Sequence, residues 1–212
     1  MRLHHIQQTY GDQVRIHWRT FPLIPDQRPG RRCTPYIQDG RRCAAAEEPH
    51  ALFVCPPLES ELPASSLPAL TAVKCAERQG DIVFEALHQR LFVAHFHDHL
   101  DISRPEVLWR LARESGLDMA RFRQDSTTGE AHQAVLHDYA EGAAWFGVSA
   151  LPTVIFNEKV SLVGAVPEER YRLLLDWILA GEPGGVVPLG LNPLQTSVAG
   201  QSAVGHLVPP PL

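Results

Sequence analysis

Four cysteines, three closely spaced histidines and one proline at the mouth of an apolar run are the residues of this 212-residue chain that could do chemistry. A thiolate is both the nucleophile of disulfide exchange and a zinc ligand, and each use leaves a spacing signature. No two of Cys33, Cys43, Cys55 and Cys75 are separated by two residues, and their spacings match no zinc pattern. Cys33, Cys43 and Cys55 share one stretch and could together hold a metal or form a bridge, but they read better as incidental loop thiols. Cys75 lies beside a helical stripe through Val73 and reads as a small helix residue. His95, His97 and His99 flank Asp98, and His95 and His99 stand four apart, as on one helix face. Without a third ligand, this cluster is expected to be a helix C-terminal turn favoured by the dipole, binding no metal.

The proline belongs to residues 147–156, Gly-Val-Ser-Ala-Leu-Pro-Thr-Val-Ile-Phe. Proline is acceptable there only as the first strand residue or as a turn-former. Asn157 and Glu158 follow as a tight turn, then a strand at 160–163 and a helix opened by Pro167. This order resembles the C-terminal half of a thioredoxin fold, and the residues 147–153 resemble the motif of its DsbA-like branch. That branch holds disulfide oxidoreductases, 2-hydroxychromene-2-carboxylate isomerases and kappa-class glutathione transferases. Ala150 stands where many members have glycine.

Upstream, Leu3, Ile6 and Tyr10 have helical spacing and Gly11 follows as a C-cap. Residues 14–21 alternate, Val14, Ile16 and Trp18 against Arg15, His17 and Arg19, which predicts a strand with one dry face. Residues 22–64 carry prolines, glycines and arginines with little periodicity and are expected to be a loop insertion, with a short helix near 43–48. From 65 to 147 the pattern is helical. Ser66 caps a first helix stopping at Gly80, and a second spans 81–96 with Val83, Leu87, Leu91 and Ala94 inward. Ser103 with Glu106, and Thr127 with Glu130, read as capping boxes, and Asp118 starts a shorter helix between them. The last of these helices carries Val135, Tyr139, Ala143 and Phe146 to Gly147. A helix at 167–180 buries Tyr171, Leu174, Leu175 and Ile178. Residues 181–212, rich in glycine and proline, are expected to be disordered.

The resemblance implies an α/β, thioredoxin-like fold with an inserted all-helical subdomain, incomplete at its N-terminus. One domain would span 1–180: helix and strand to 21, insertion to 64, helices to 147, and strand-strand-helix to 180. It also implies a cis Leu151-Pro152 bond and a substrate-binding edge at Ala150, Leu151 and Pro152. The reactive Cys-x-x-Cys or serine of the branch would precede residues 2–10, so the chain reads as a truncated or mis-started form and supplies no catalytic residue of its own.

At 44% hydrophobic and a net charge of -5 the chain supports a sizeable core and offers no basic field for nucleic acid. No apolar run reaches membrane-span length and no secretory signal opens it, so a cytoplasmic protein is expected. The function implied is thiol-disulfide exchange with a protein or small-molecule substrate, probed by a backbone edge and inactive without the reactive turn. The alternatives are a glutathione-dependent isomerase or transferase and a non-catalytic binding scaffold. No cofactor is expected, with glutathione as a possible co-substrate.

Overall fold

The computed structural model describes residues 2–49, 51, 53–184 and 192–193. Two compact units divide the chain, Met1–Gly142 and Ala143–Leu212.

The first unit opens with α1 (Arg2–Tyr10), which buries Ile6 and Tyr10, and a 3-10 turn, Gly11–Gln13. Residues 14–21 correct the strand expected there, because they join no ladder. Val14 and Ile16 are half-buried, but Trp18 is exposed together with Arg15, His17 and Arg19, so the expected dry face does not run the length of the stretch. A side chain supplies the partner instead, for the Thr20 N–H donates to the Asp138 carboxylate at 2.9 Å.

The stretch 22–64 is also corrected. It holds a thirteen-residue helix, α2 (Pro35–Glu47), that starts well before the short one expected. Thr34 caps it, accepting from the Ile37 N–H at 3.4 Å, and Pro35 occupies the first turn, where a missing N–H costs nothing. No α2 residue is fully buried, which is why its sequence lacks an apolar stripe. Flanking segments pair locally, with the Leu62 N–H donating to the Arg31 carbonyl at 3.0 Å and Glu59 to Cys33 at 3.0 Å.

The core is built by α3 (Leu67–Glu77), α4 (Asp81–Phe96), α5 (Pro105–Glu114), α6 (Met119–Thr128) and α7 (Glu130–Ala144). Small residues of α3, Ala69, Ala72, Cys75 and Ala76, meet Leu87, Leu91 and Ala94 of α4, Leu111 and Ala112 of α5, and Phe122 of α6. Each buried leucine contributes about 1.5–3 kcal/mol, so these positions hold the helices together more than the caps do. On α4 the buried stripe starts at Phe84, with Val83 only half-buried.

Only one of the expected N-caps forms as read. Asp118 accepts from the Ala120 and Arg121 N–H groups at 2.8 and 3.2 Å. Ser66 spends its hydroxyl on Ile24, and Ser103 on the Asp101 carboxylate, so neither bonds its own helix start. Thr127 lies inside α6, donating back to Arg123, and Gly129 in the left-handed region at φ 80° makes the break before α7. α7 stops at Ala144, short of Phe146.

In the second unit β1 (Thr153–Phe156) and β2 (Val160–Val163) form an antiparallel hairpin with Thr153 opposite Val163 and Phe156 opposite Val160. Then α8 (Glu168–Leu179) packs Tyr171, Leu174 and Leu175 inward, with the Tyr171 ring 6.3 Å from that of Phe156. Most of the tail expected to be disordered lies outside the described residues. Within it, Asn192–Pro193 form a short strand, β3, paired with β2.

Candidate functional site

Residues 147–153 form the turn that feeds β1. Gly147, at φ 62°, takes the left-handed conformation that lets the chain leave α7 sharply. The Leu151-Pro152 bond is cis. Two hydrogen bonds fix the turn: the Thr153 hydroxyl donates to the Ala150 carbonyl at 2.7 Å, and the Gly164 N–H donates to the Pro152 carbonyl at 2.8 Å. Ala150, Leu151 and Pro152 are all exposed, Leu151 to 41% of its surface. Among the described residues β1 has β2 as its one partner, so its other edge keeps free backbone groups beside this turn. Such an edge can accept an extended chain as an additional strand.

Sequence from 143 onward contains no cysteine. All four thiols belong to the first unit and all are unpaired. Cys75 is fully buried, and burial followed by the nearby Asp125 charge pushes its thiol up to about 11. Cys33 is fully buried too, its sulfur 3.9 Å from the Pro56 carbonyl, whereas Cys55 is half-buried and Cys43 exposed. Cys75 therefore has neither the access nor the ionised form that disulfide exchange needs, and Cys33 lacks the access.

The three histidines do not converge. α4 ends at Phe96 and His99 has φ 53°, so His95 and His99 do not share a helix face. His95 turns inward and accepts from Arg41 at 2.9 Å. Burial, then the charges of Arg41, His99 and Arg31, push its imidazole down to about 4. His97 pairs with Asp98 at 2.8 Å, and Asp98 with Arg90 at 2.9 Å. Among the described residues, donor atoms of His137, Asp138 and Glu141 do lie within 4.8 Å of one another. Asp138, however, is already matched by the Lys74 ammonium at 2.8 Å, which occupies the place a cation would take.

That pair is the polar site sequence reasoning missed. Lys74 and Asp138 are 6% and 4% exposed. Asp138 accepts from the Thr20 N–H and hydroxyl, both at 2.9 Å, and Lys74 also reaches Glu77 at 2.8 Å. Burial pushes the Asp138 carboxyl up, but hydrogen bonds from Lys74 and Thr20 outweigh it and hold the carboxyl below its ordinary value. Lys74 is likewise lowered by burial yet raised overall by Asp138 and Glu77. A signal existed in the positions of both residues on apolar stripes, Lys74 beside Cys75 and Asp138 three residues after Val135.

The sequence profile of the DSBA-like thioredoxin domain matches residues 1–176. The chain belongs to that family. Over 141 residues this DSBA-like protein is 26% identical to the ClpXP adapter protein SpxH of Halalkalibacterium halodurans, covering 64% of this chain and 45% of that protein. It thus spans less than half the length of that curated relative. Its structure is similar to that of a Nitrosomonas europaea protein provisionally described as a protein disulfide isomerase, with a TM-score of 0.57 and 17% identity. That likeness covers 84% of this chain and 89% of the other, and at such identity it concerns the fold alone. The thioredoxin-like fold with inserted helices expected from residues 147–153 is therefore borne out. Among the described residues no helix is long and apolar enough to cross a membrane.

Proposed function

We propose that this DSBA-like protein serves thiol-disulfide exchange by docking an extended, thiol- or disulfide-bearing polypeptide on the edge formed by Ala150, Leu151 and Pro152. The observation that carries this reading is the exposed turn beside a β1 edge with free backbone groups. Main-chain hydrogen bonds along such an edge would give affinity, and the exposed Leu151 side chain would add apolar contact. The fold is of the oxidoreductase type, and with Cys33 and Cys75 buried and no Cys-x-x-Cys pair in the sequence, residues 1–212 are expected to bind without turning over. The same edge would suit the peptide backbone of glutathione.

A second reading is favoured by the ClpXP adapter relative: capture of a partner protein without chemistry. Reduced, alkylated insulin B chain carrying a fluorophore separates the cases, because it offers an extended chain with no reactive sulfur. Saturable binding that Leu151→Lys weakens about tenfold, together with insulin-disulfide reduction at the rate of buffer alone, is the expected result. Strong reduction by residues 1–212 would show that one of Cys33, Cys43, Cys55 or Cys75 reacts after all. Binding indifferent to Leu151→Lys would remove the edge from the account, and binding that does not discriminate alkylated from disulfide-bonded insulin would favour the adapter reading.

A further inference from the structure

Residues 104–123 hold five arginines against three carboxylates, in a chain whose net charge is -5. All three carboxylates are engaged. Glu106 pairs with Arg104 at 2.5 Å, Glu114 is shared between Arg90 at 3.0 Å and Arg110 at 3.7 Å, and Asp118 caps α6 through the Ala120 and Arg121 N–H groups. Arg113 and Arg123 have no carboxylate partner among the described residues. Arg113 sits in the last turn of α5, where a cation is favoured by the helix dipole without one.

Between these two cations stands a tryptophan. Half-buried Trp109 lies one turn before Arg113 on α5, with the Arg123 guanidinium over its ring at 4.9 Å from the centroid and the Phe122 ring edge-on at 6.5 Å. Both contacts come from α6, which holds the indole in place. Beside it, a cavity of about 380 Å³ is lined by Pro105, Glu106, Trp109, Arg110 and Arg113. All of these but Trp109 are exposed, so the cavity opens on the outer side of α5.

The lining is of two kinds. Pro105 and the indole supply apolar walls, while Arg110 and Arg113, three residues apart, bring two guanidinium groups to neighbouring positions on the helix surface. Arg110 is only loosely held, because its acid is bonded more closely by Arg90, and Glu106 has its charge offset by Arg104. An apolar wall beside unspent guanidinium forks complements a carboxylate with an apolar neighbour. Tryptophan and arginine are also the residues that most often carry binding energy at protein interfaces. A second copy of the chain would bring the same arginines face to face, which opposes self-association here, and the overall negative charge disfavours nucleic acid. We propose that the α5 face at Trp109, Arg110 and Arg113 docks an acidic segment of a partner protein. An apolar side chain of that segment enters the cavity against Trp109 and Pro105, and its neighbouring carboxylates bond Arg110 and Arg113.

The test is the fluorescence anisotropy of a labelled short peptide of glutamates interspersed with leucines, titrated with the whole chain at constant ionic strength. One-to-one saturation is expected. Trp109→Leu should weaken it about tenfold or more and Arg113→Gln about fivefold, whereas Arg42→Gln, which removes a guanidinium held by Asp39, should change it by less than about twofold. Should Trp109→Leu fail to fold, Arg113→Gln and Arg110→Gln, both at exposed positions, carry the comparison. Absence of saturation in the parent protein overturns the proposal. So does an Arg42→Gln loss equal to that of Arg113→Gln, which would mean diffuse attraction. Equal binding of a peptide with serine in place of leucine would remove the apolar wall from the account. Displacement of the peptide by isovalerate at the peptide's own concentration would reassign the cavity to small free acids, and either result also overturns it.

Discussion

Two places in the helical unit bury a cation, and they solve the problem in opposite ways. Between α3 and α7, Lys74 faces Asp138, with Thr20 and Arg19 also donating to Asp138 and Glu77 accepting from Lys74. Between α2 and α4, Arg41 faces a neutral histidine and an aromatic ring. The first arrangement is closed: every charge has its opposite, and adding a ligand would displace something. The second has no carboxylate among the described residues, and one Arg41 nitrogen is left without a hydrogen-bond partner. A matched pair offsets its desolvation by mutual attraction, whereas an unmatched cation bears that cost alone.

The sharpest way to break this contrast is to unmatch the first site. Asp138→Ala leaves Lys74 buried without its main partner and should cost about 3–5 kcal/mol, read from urea unfolding. Replacing the pair together, Lys74→Met with Asp138→Leu, should recover most of that loss. A small cost for Asp138→Ala alone would mean that Glu77 and solvent can serve Lys74 equally well, and the distinction between the two sites would fall.

Acid should act on both sites in sequence. His95 is pushed down to about 4, so the unfolded chain binds a proton more readily than the folded one between about pH 6.5 and 4. Stability therefore falls as pH drops through that window, by up to about 3 kcal/mol from this group. Buried His88, ringed by Trp18, Phe84 and Phe92 and also lowered by burial, acts in the same direction. Asp138 is held below its ordinary value, so its contribution is present above the usual aspartate range and disappears only at more acidic pH. In His95→Gln the upper part of the acid limb should flatten while the Asp138 part remains. An unchanged profile would show that His95 is not the group that resists protonation.

The smallest effect is expected where the cation is unmatched. Arg41→Met should stay within about 1 kcal/mol of the parent, since the lost ring and histidine contacts are offset by removal of an uncompensated charge. A loss as large as that of Asp138→Ala would reveal a partner for Arg41 and erase the comparison.

Legibility in the sequence followed how local each interaction was. Residues 147–153 announced the family because a glycine exit, a strand-opening proline and a β-branched run act on their immediate neighbours. α4 and α8 were placed by their apolar spacing, and α6 by the Asp118 cap. Ser66, Ser103 and Thr127 misled for the opposite reason: a hydroxyl that can cap its own helix can equally bond Ile24, Asp101 or Arg123, and sequence does not say which is nearer. α2 was nearly invisible because it buries no stripe, although Thr34 followed by Pro35 was a start signal in plain view.

The sequence by itself determined the helical insertion, the hairpin after Pro152, the closing helix, and the absence of a Cys-x-x-Cys pair, since all of these depend on residue type and short spacing. Tertiary structure decided that residues 14–21 find a carboxylate instead of a strand, because Asp138 lies 118 residues from Thr20. It alone decided which charges are matched, bringing Lys74 to Asp138 and leaving Arg41 with His95. Charge compensation is a property of distance in space, and no periodicity along the chain encodes it.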